Sequence, residues 1–158
     1  MTGWRLGYMV APRNITERVI AIHSHLVTGA CTFAQRAAAL ALRDDRTERS
    51  IRDMVSEYQV RRDIVVSQLE KIDGISCLSP KGTFYAFPNI SELGLTPQES
   101  ARELLSRTKV AVVPGNSFGP HGEGFIRLSF ATARERLEIA LDRIQRVMAQ
   151  FQRSSAAS

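Results

Sequence analysis

Most of the residue types that announce chemistry on their own are scarce in this sequence. It has two cysteines, Cys31 and Cys77, with no CxxC or Cys/His spacing. Neither a disulfide framework nor a metal site is indicated, and a reducing compartment fits. Of the three histidines, His23 and His25 stand two apart on a helical stretch and so face different ways, while His121 lies in a Gly/Pro-rich loop. GxSxG, P-loop and GxGxxG patterns are absent, and neither a carboxylate pair nor a Ser/His/Asp order stands out. No apolar run approaches the ~20 residues needed to cross a bilayer, and no basic flank with an apolar h-region opens the chain. These absences predict a soluble, cytoplasmic protein with no membrane partner.

Lysine is scarce too: Lys71, Lys81 and Lys109 are the three among 21 basic residues, and the net charge of +5 rests on arginine. Much of that charge lies in ALRDDRTERSIRDMVSEYQVRRDIV (41–65). There Asp45 and Arg49, Glu48 and Arg52, and Glu57 and Arg61 stand at i,i+4 in the favourable acid-first order. That pattern predicts a solvated helix face laced with ion pairs. A nucleic-acid groove would carry a one-signed basic stripe, so no nucleic-acid partner is expected.

What is present suits a globular domain: 158 residues, 44% apolar and 23% charged, enough for one substantial core. RLGYMVA (5–11) reads as a short buried strand ended by Pro12. Asn14, with Glu17 three residues on, reads as the N-cap of a helix over ITERVIAIHSHL, and Thr32 as the cap of FAQRAAALALR. From Thr47 to Ile72 apolar residues recur at three, four and seven, predicting one long amphipathic helix closed by Gly74. ISCLS and GTFYAFP then read as strands. Thr96, Pro97 and Glu99 mark the start of a helix, KVAVVPG and FIRLSFA read as strands, and Thr132 caps a final helix before the tail RSSAAS. The second half thus reads strand, strand, helix, strand, strand, helix, which makes the chain α/β with a small, partly antiparallel sheet.

Two arginines fall inside apolar stretches. Arg5 in TGWRLGY needs an anion or several acceptors to offset its burial, and its five-donor fork suits a phosphate or carboxylate. The alternative is a structural arginine paired with a core aspartate. Arg127 sits mid-strand, where alternation puts it on the face of Phe125 and Ser129. The upstream loop PGNSFGPHGEG has the composition of backbone that turns tightly and approaches a ligand. A small carboxylate clamp fits both facts; the alternatives are an internal salt bridge or a strand-edge arginine facing water.

Four stretches together, TGWRLGY (2–8), TFAQRAAALAL (32–42), PKGTFYAFP (80–88) and VPGNSFGPHGEGFIRLSFA (113–131), resemble the fold-type I pyridoxal-phosphate aminotransferases of classes I and II. They occur in the family's order and cover nearly the whole chain. The resemblance implies the C-terminal portion of such an enzyme. Residues 1–45 would be the tail of the large cofactor-binding domain, 46–73 a long linking helix, 74–152 the small C-terminal domain and 153–158 a disordered tail. Arg5 would hold the phosphate of pyridoxal 5'-phosphate and Arg127 the substrate α-carboxylate. The family's Schiff-base lysine would precede Met1, and none of the three lysines matches it, so the chain alone is expected to be inactive. Amino-acid and 2-oxo-acid substrates and a homodimer follow from the same resemblance. So does a position near the dimer interface for HSHLVTGACT, where Thr28 and Gly29 are candidates for selectivity, with ordinary loop residues as the alternative. Two other functions stay open: a lyase, decarboxylase or acyl-CoA synthase of the same fold, and a non-catalytic amino-acid-binding or interaction module of a regulator.

Overall fold

The computed structural model describes residues 2–155, with side chains described for residues 3–151. The chain divides into two compact units, Met1–Asp53 and Met54–Ser158.

The first unit is helical. After a turn of 3-10 helix at Thr2–Trp4 come α1 (Arg13–Val27), α2 (Thr32–Ala41) and the first part of α3 (Asp45–Leu69). The strand expected over residues 5–11 does not form. Residues 6–12 carry no regular structure, and Tyr8 and Val10 are almost fully exposed. A strand needs a neighbour to take its backbone hydrogen bonds, and among the described residues this segment has none. Neither expected cap forms: α1 begins on Pro12 and α2 on Cys31, both without a side-chain cap. Glu17 instead accepts a hydrogen bond from Arg13 Nε at 2.7 Å. The amide of Gln35, one turn into α2, donates to the Ala30 carbonyl at 2.8 Å. No residue of α1 is buried, and α2 buries only Ala34. Trp4 meets Phe33 edge-on, ring centroids 6.1 Å apart.

Helix α3 is 25 residues long, about 37 Å at 1.5 Å per residue. Glu48 with Arg52 and Glu57 with Arg61 pair at 2.6 and 2.8 Å. Asp45 and Arg49 form no ion pair among the described residues, and Asp44 instead takes Arg46 at 2.6 Å.

In the second unit β1 (Tyr85–Ala86), α4 (Pro97–Thr108), β2 (Val113–Pro114), β3 (Ile126–Ser129) and α5 (Arg134–Ser155) follow in order. The sheet is three-stranded, β1-β3-β2, with both pairings antiparallel. ISCLS forms no full strand: Ser76 and Asn89 exchange two backbone hydrogen bonds as a single bridge. At α4 the expected start is present. Glu99 N–H donates to Thr96 Oγ1, the Glu99 carboxylate accepts from Thr96 N–H at 2.9 Å, and Pro97 opens the helix. The bonds from Thr96 N–H first and from the Thr96 hydroxyl second hold the Glu99 carboxyl below its usual pKa.

The core lies between one face of the sheet and the helices. Val65 and Leu69 of α3, Ala86 of β1, Leu104 of α4, Ile126 and Leu128 of β3, and Leu137, Leu141, Ile144 and Met148 of α5 build it. Glu57 of α3 accepts from Arg61 Nε at 2.8 Å and from Arg134 Nε, at the start of α5, at 2.9 Å. Helix α5 reaches Ser155, so residues 153–155 of the expected tail are helical, and 156–158 lie outside the described residues. Among the described residues no helix is long and apolar enough to cross a membrane.

Candidate functional site

Strand β3 is the middle strand, and its alternation sorts its residues cleanly: Ile126 and Leu128 are buried in the core, while Arg127 and Ser129 lie on the other face. Tyr85 of β1 is directly opposite Ser129, which makes it the diagonal neighbour of Arg127 on that face. The Arg127 guanidinium carbon lies 4.3 Å from the Tyr85 ring centroid and 4.4 Å from that of Phe118. Phe87 stacks on Phe125 at 5.2 Å and meets Phe118 edge-on at 6.2 Å. An aromatic patch therefore surrounds the arginine on the face turned away from the core.

Phe118 reaches this place because its loop is held in shape. Two 3-10 turns, Gly115–Phe118 and Pro120–Gly122, follow β2 directly. Gly119 and Gly124 take φ of 117° and 77°, values that favour glycine. Gly115 N–H donates to the Phe125 carbonyl at 2.8 Å. Asn116 ties the loop at both ends of its side chain: Oδ1 accepts from Gln98 Nε2 of α4 at 2.8 Å, and Nδ2 donates to Glu123 Oε2 at 2.7 Å.

Among the described residues Arg127 makes no hydrogen bond and no ion pair, and its only side-chain partners are the two ring faces. An internal salt bridge, one alternative reading of this residue, is absent there, and β3 is not an edge strand. A half-buried guanidinium whose donors are all unused calls for an anion, and its flat fork matches the two oxygens of a carboxylate.

Arg5 belongs to the first unit. It directly follows the 3-10 turn, is exposed, and takes a φ of 53°. It too has no hydrogen bond or ion pair among the described residues. The core aspartate of the alternative reading is not there, and neither is the burial expected of an arginine in an apolar stretch, because the strand that would have enclosed it does not form; the exposed five-donor fork is open to a phosphate.

The remaining candidates fall into plainer places. Thr28 ends α1 with φ 63° and ψ −57°, and Gly29 N–H donates to the Val27 carbonyl at 2.6 Å, a three-residue turn with positive central φ. Lys71 and Lys81 are exposed, and Lys109 Nζ donates to the Ser106 carbonyl at 2.9 Å. His121 is the middle residue of the second 3-10 turn and is exposed. Sequence reasoning found Arg127 but missed the aromatic pair that flanks it. GTFYAFP placed Tyr85 on a strand, yet nothing local tied that strand or Phe118 to the arginine.

The sequence profile of the family described as "Aminotransferase class I and II" matches residues 1–144. Among curated relatives, the chain is 46% identical over 148 residues to the aspartate aminotransferase of Pyrococcus abyssi, covering 94% of this chain and 38% of that protein. It is 43% identical over 148 residues to aromatic-amino-acid aminotransferase 2 of Thermococcus litoralis, with the same coverage. The crystal structure of an aromatic aminotransferase from Pyrococcus horikoshii superposes with a TM-score of 0.87 at 43% identity, over 96% of this chain and 40% of that one. The chain thus spans well under half the length of the proteins it matches.

Proposed function

The chain belongs to the class I and II aminotransferase family, and on that premise we propose that it is the C-terminal part of an enzyme moving an amino group from an L-amino acid to a 2-oxo acid. Residues 1–45 complete a larger cofactor-binding domain, 46–73 link, and 74–152 form the small domain. The remaining length of its relatives corresponds to the rest of the protein, including the lysine that carries the cofactor. The enzyme is a cytoplasmic homodimer.

The observation that carries this reading is Arg127: a cation flanked by two aromatic rings, with no acidic partner among the described residues, on the face of the sheet turned away from the core. It binds the substrate α-carboxylate through its in-plane donors and so fixes the orientation of the α-carbon. Tyr85, Phe118 and their ring neighbours thin the water around that ion pair and strengthen it. Arg5 holds the phosphate of pyridoxal 5'-phosphate. When bound, this cofactor supplies the electron sink that makes the α-proton removable. The first unit supports the reading independently. Helix α1 buries none of its residues, and Ile20, Ile22 and Leu26 stand exposed along it, an apolar surface that suits cover by further protein.

A chimera tests this directly. This chain replaces the matched 148 residues of the P. abyssi aspartate aminotransferase, and transamination is assayed with and without added cofactor. The expected result is cofactor-dependent turnover by the chimera and none by the 158-residue chain alone. A folded chimera without turnover, or turnover by the isolated chain, contradicts the proposal.

A further inference from the structure

We infer that Tyr85 and Phe118 are positioning residues, holding the Arg127 guanidinium by its π-face contacts so that its N–H donors stay free for an incoming carboxylate; this rests on the reading of Arg127 as the carboxylate holder.

An arginine can be fixed in place in two chemically different ways. Acidic or carbonyl acceptors hold it through its in-plane donors, and each donor so used is lost to a ligand. Aromatic rings hold it through the attraction of a cation for the ring face, and they take up none of the donors in the strong in-plane bonds that a carboxylate uses. Arg127 has only the second kind of support among the described residues, with rings at 4.3 and 4.4 Å. The carboxylate nearest in sequence, Glu123, is engaged by Asn116 Nδ2 at 2.7 Å. The cation is thereby oriented and partly desolvated while its hydrogen-bonding capacity is kept.

The two rings come from different supports. Tyr85 is half-buried on β1 and set by the strand register, whereas Phe118 is about half exposed and rides on the loop that Asn116 ties to Gln98 of α4. Orientation of the clamp is therefore coupled to the order of that loop. The ligand class follows: an anion with two oxygens in one plane, approaching along the edge of the guanidinium, so that both oxygens meet parallel donors.

The test uses the 158-residue chain, isotope-labelled on arginine, with NMR of the Arg127 Nε–H and δ-CH2 groups and titration with acetate. Wild type is expected to show ring-shifted Arg127 resonances and to bind acetate. Tyr85→Leu and Phe118→Leu are each expected to lose part of the ring shift and to bind acetate about 3- to 10-fold more weakly. Tyr85→Phe, which keeps the ring, is expected to behave as wild type, a rescue that loss of a purely structural hydroxyl would not give. Arg127 resonances and acetate affinity unchanged in both leucine variants overturn the inference. Absence of acetate binding by wild type overturns the carboxylate reading instead, and the ring-shift comparison then still decides whether the rings position the arginine. Where Tyr85→Leu fails to fold, Phe118→Leu, at an exposed position, carries the test.

Discussion

Gly115 and Gly122 pack backbone against backbone at the foot of the loop that carries Phe118. A Cβ on Gly115 would run into the carbonyl oxygen of Gly122 and come within 2.6 Å of the Phe125 carbonyl. A Cβ on Gly122 would meet the carbonyl of Gly115 and lie 2.9 Å from Asn116 N. These are rigid backbone atoms, so the loop itself must shift. Gly115→Ala and Gly122→Ala are each expected to destabilise the second unit by about 1–3 kcal/mol and to move the Phe118 ring off Arg127. Urea unfolding and the Arg127 resonances check this; wild-type values for both would show that the loop is not locked by close approach.

Glu57 couples α3 to α5 in a way that depends on acidity. Hydrogen bonds from Arg134 first and Arg61 second pull its pKa from 4.5 down to about 2. A carboxyl whose folded-state pKa is depressed stabilises the fold fully where it is ionised in both the folded and the unfolded chain, and loses that contribution as acid protonates first the unfolded and then the folded form. The contribution is complete above the unfolded value near 4.5 and is lost as pH falls through about 2. Glu57→Gln should therefore lower Tm at neutral pH, with the gap to wild type closing between pH 4.5 and 2. A gap independent of pH would mean the pair contributes shape rather than charge.

Ser100 is fully buried in α4, and its Oγ has no hydrogen-bond partner among the described residues. Removing an unsatisfied hydroxyl and substituting a better helix former both favour Ser100→Ala. It should gain about 0.5–1 kcal/mol by urea denaturation. A loss of stability would reveal a hydrogen bond on this hydroxyl.

Thr28 holds a branched side chain at φ 63°, a region such residues rarely occupy. Thr28→Gly should relieve roughly 1 kcal/mol of that strain. Trp4, the sole tryptophan, packs on Phe33 in the same unit and reports unfolding there. A lower urea midpoint in the variant would mean that the threonine side chain does more than tolerate the turn.

What was legible in the sequence depended on how local the physics is. The start of α4 is written in three neighbouring residues, Thr96, Pro97 and Glu99, and it formed as read. Alternation along FIRLSFA placed Ile126 and Leu128 inward and Arg127 on the other face, because a strand flanked on both sides has no freedom to slip. RLGYMVA failed as a strand for the opposite reason: its apolar pattern is real, but pairing partners are not among the described residues. Asn14 and Thr32 have capping side chains without capping geometry, since Pro12 and Cys31 occupy the positions just outside the helices. The rings around Arg127 stayed hidden because they come from another strand and from a loop whose path is set by glycine packing.

The central claim, that Arg127 holds the substrate carboxylate of an aminotransferase, is tested most directly by kcat/KM for a 2-oxo acid in the chimera with and without Arg127→Leu. Removing one partner of such a pair costs about 2–5 kcal/mol, so kcat/KM should fall roughly 30-fold or more while the variant stays folded. A variant that matches the parent chimera would contradict the account.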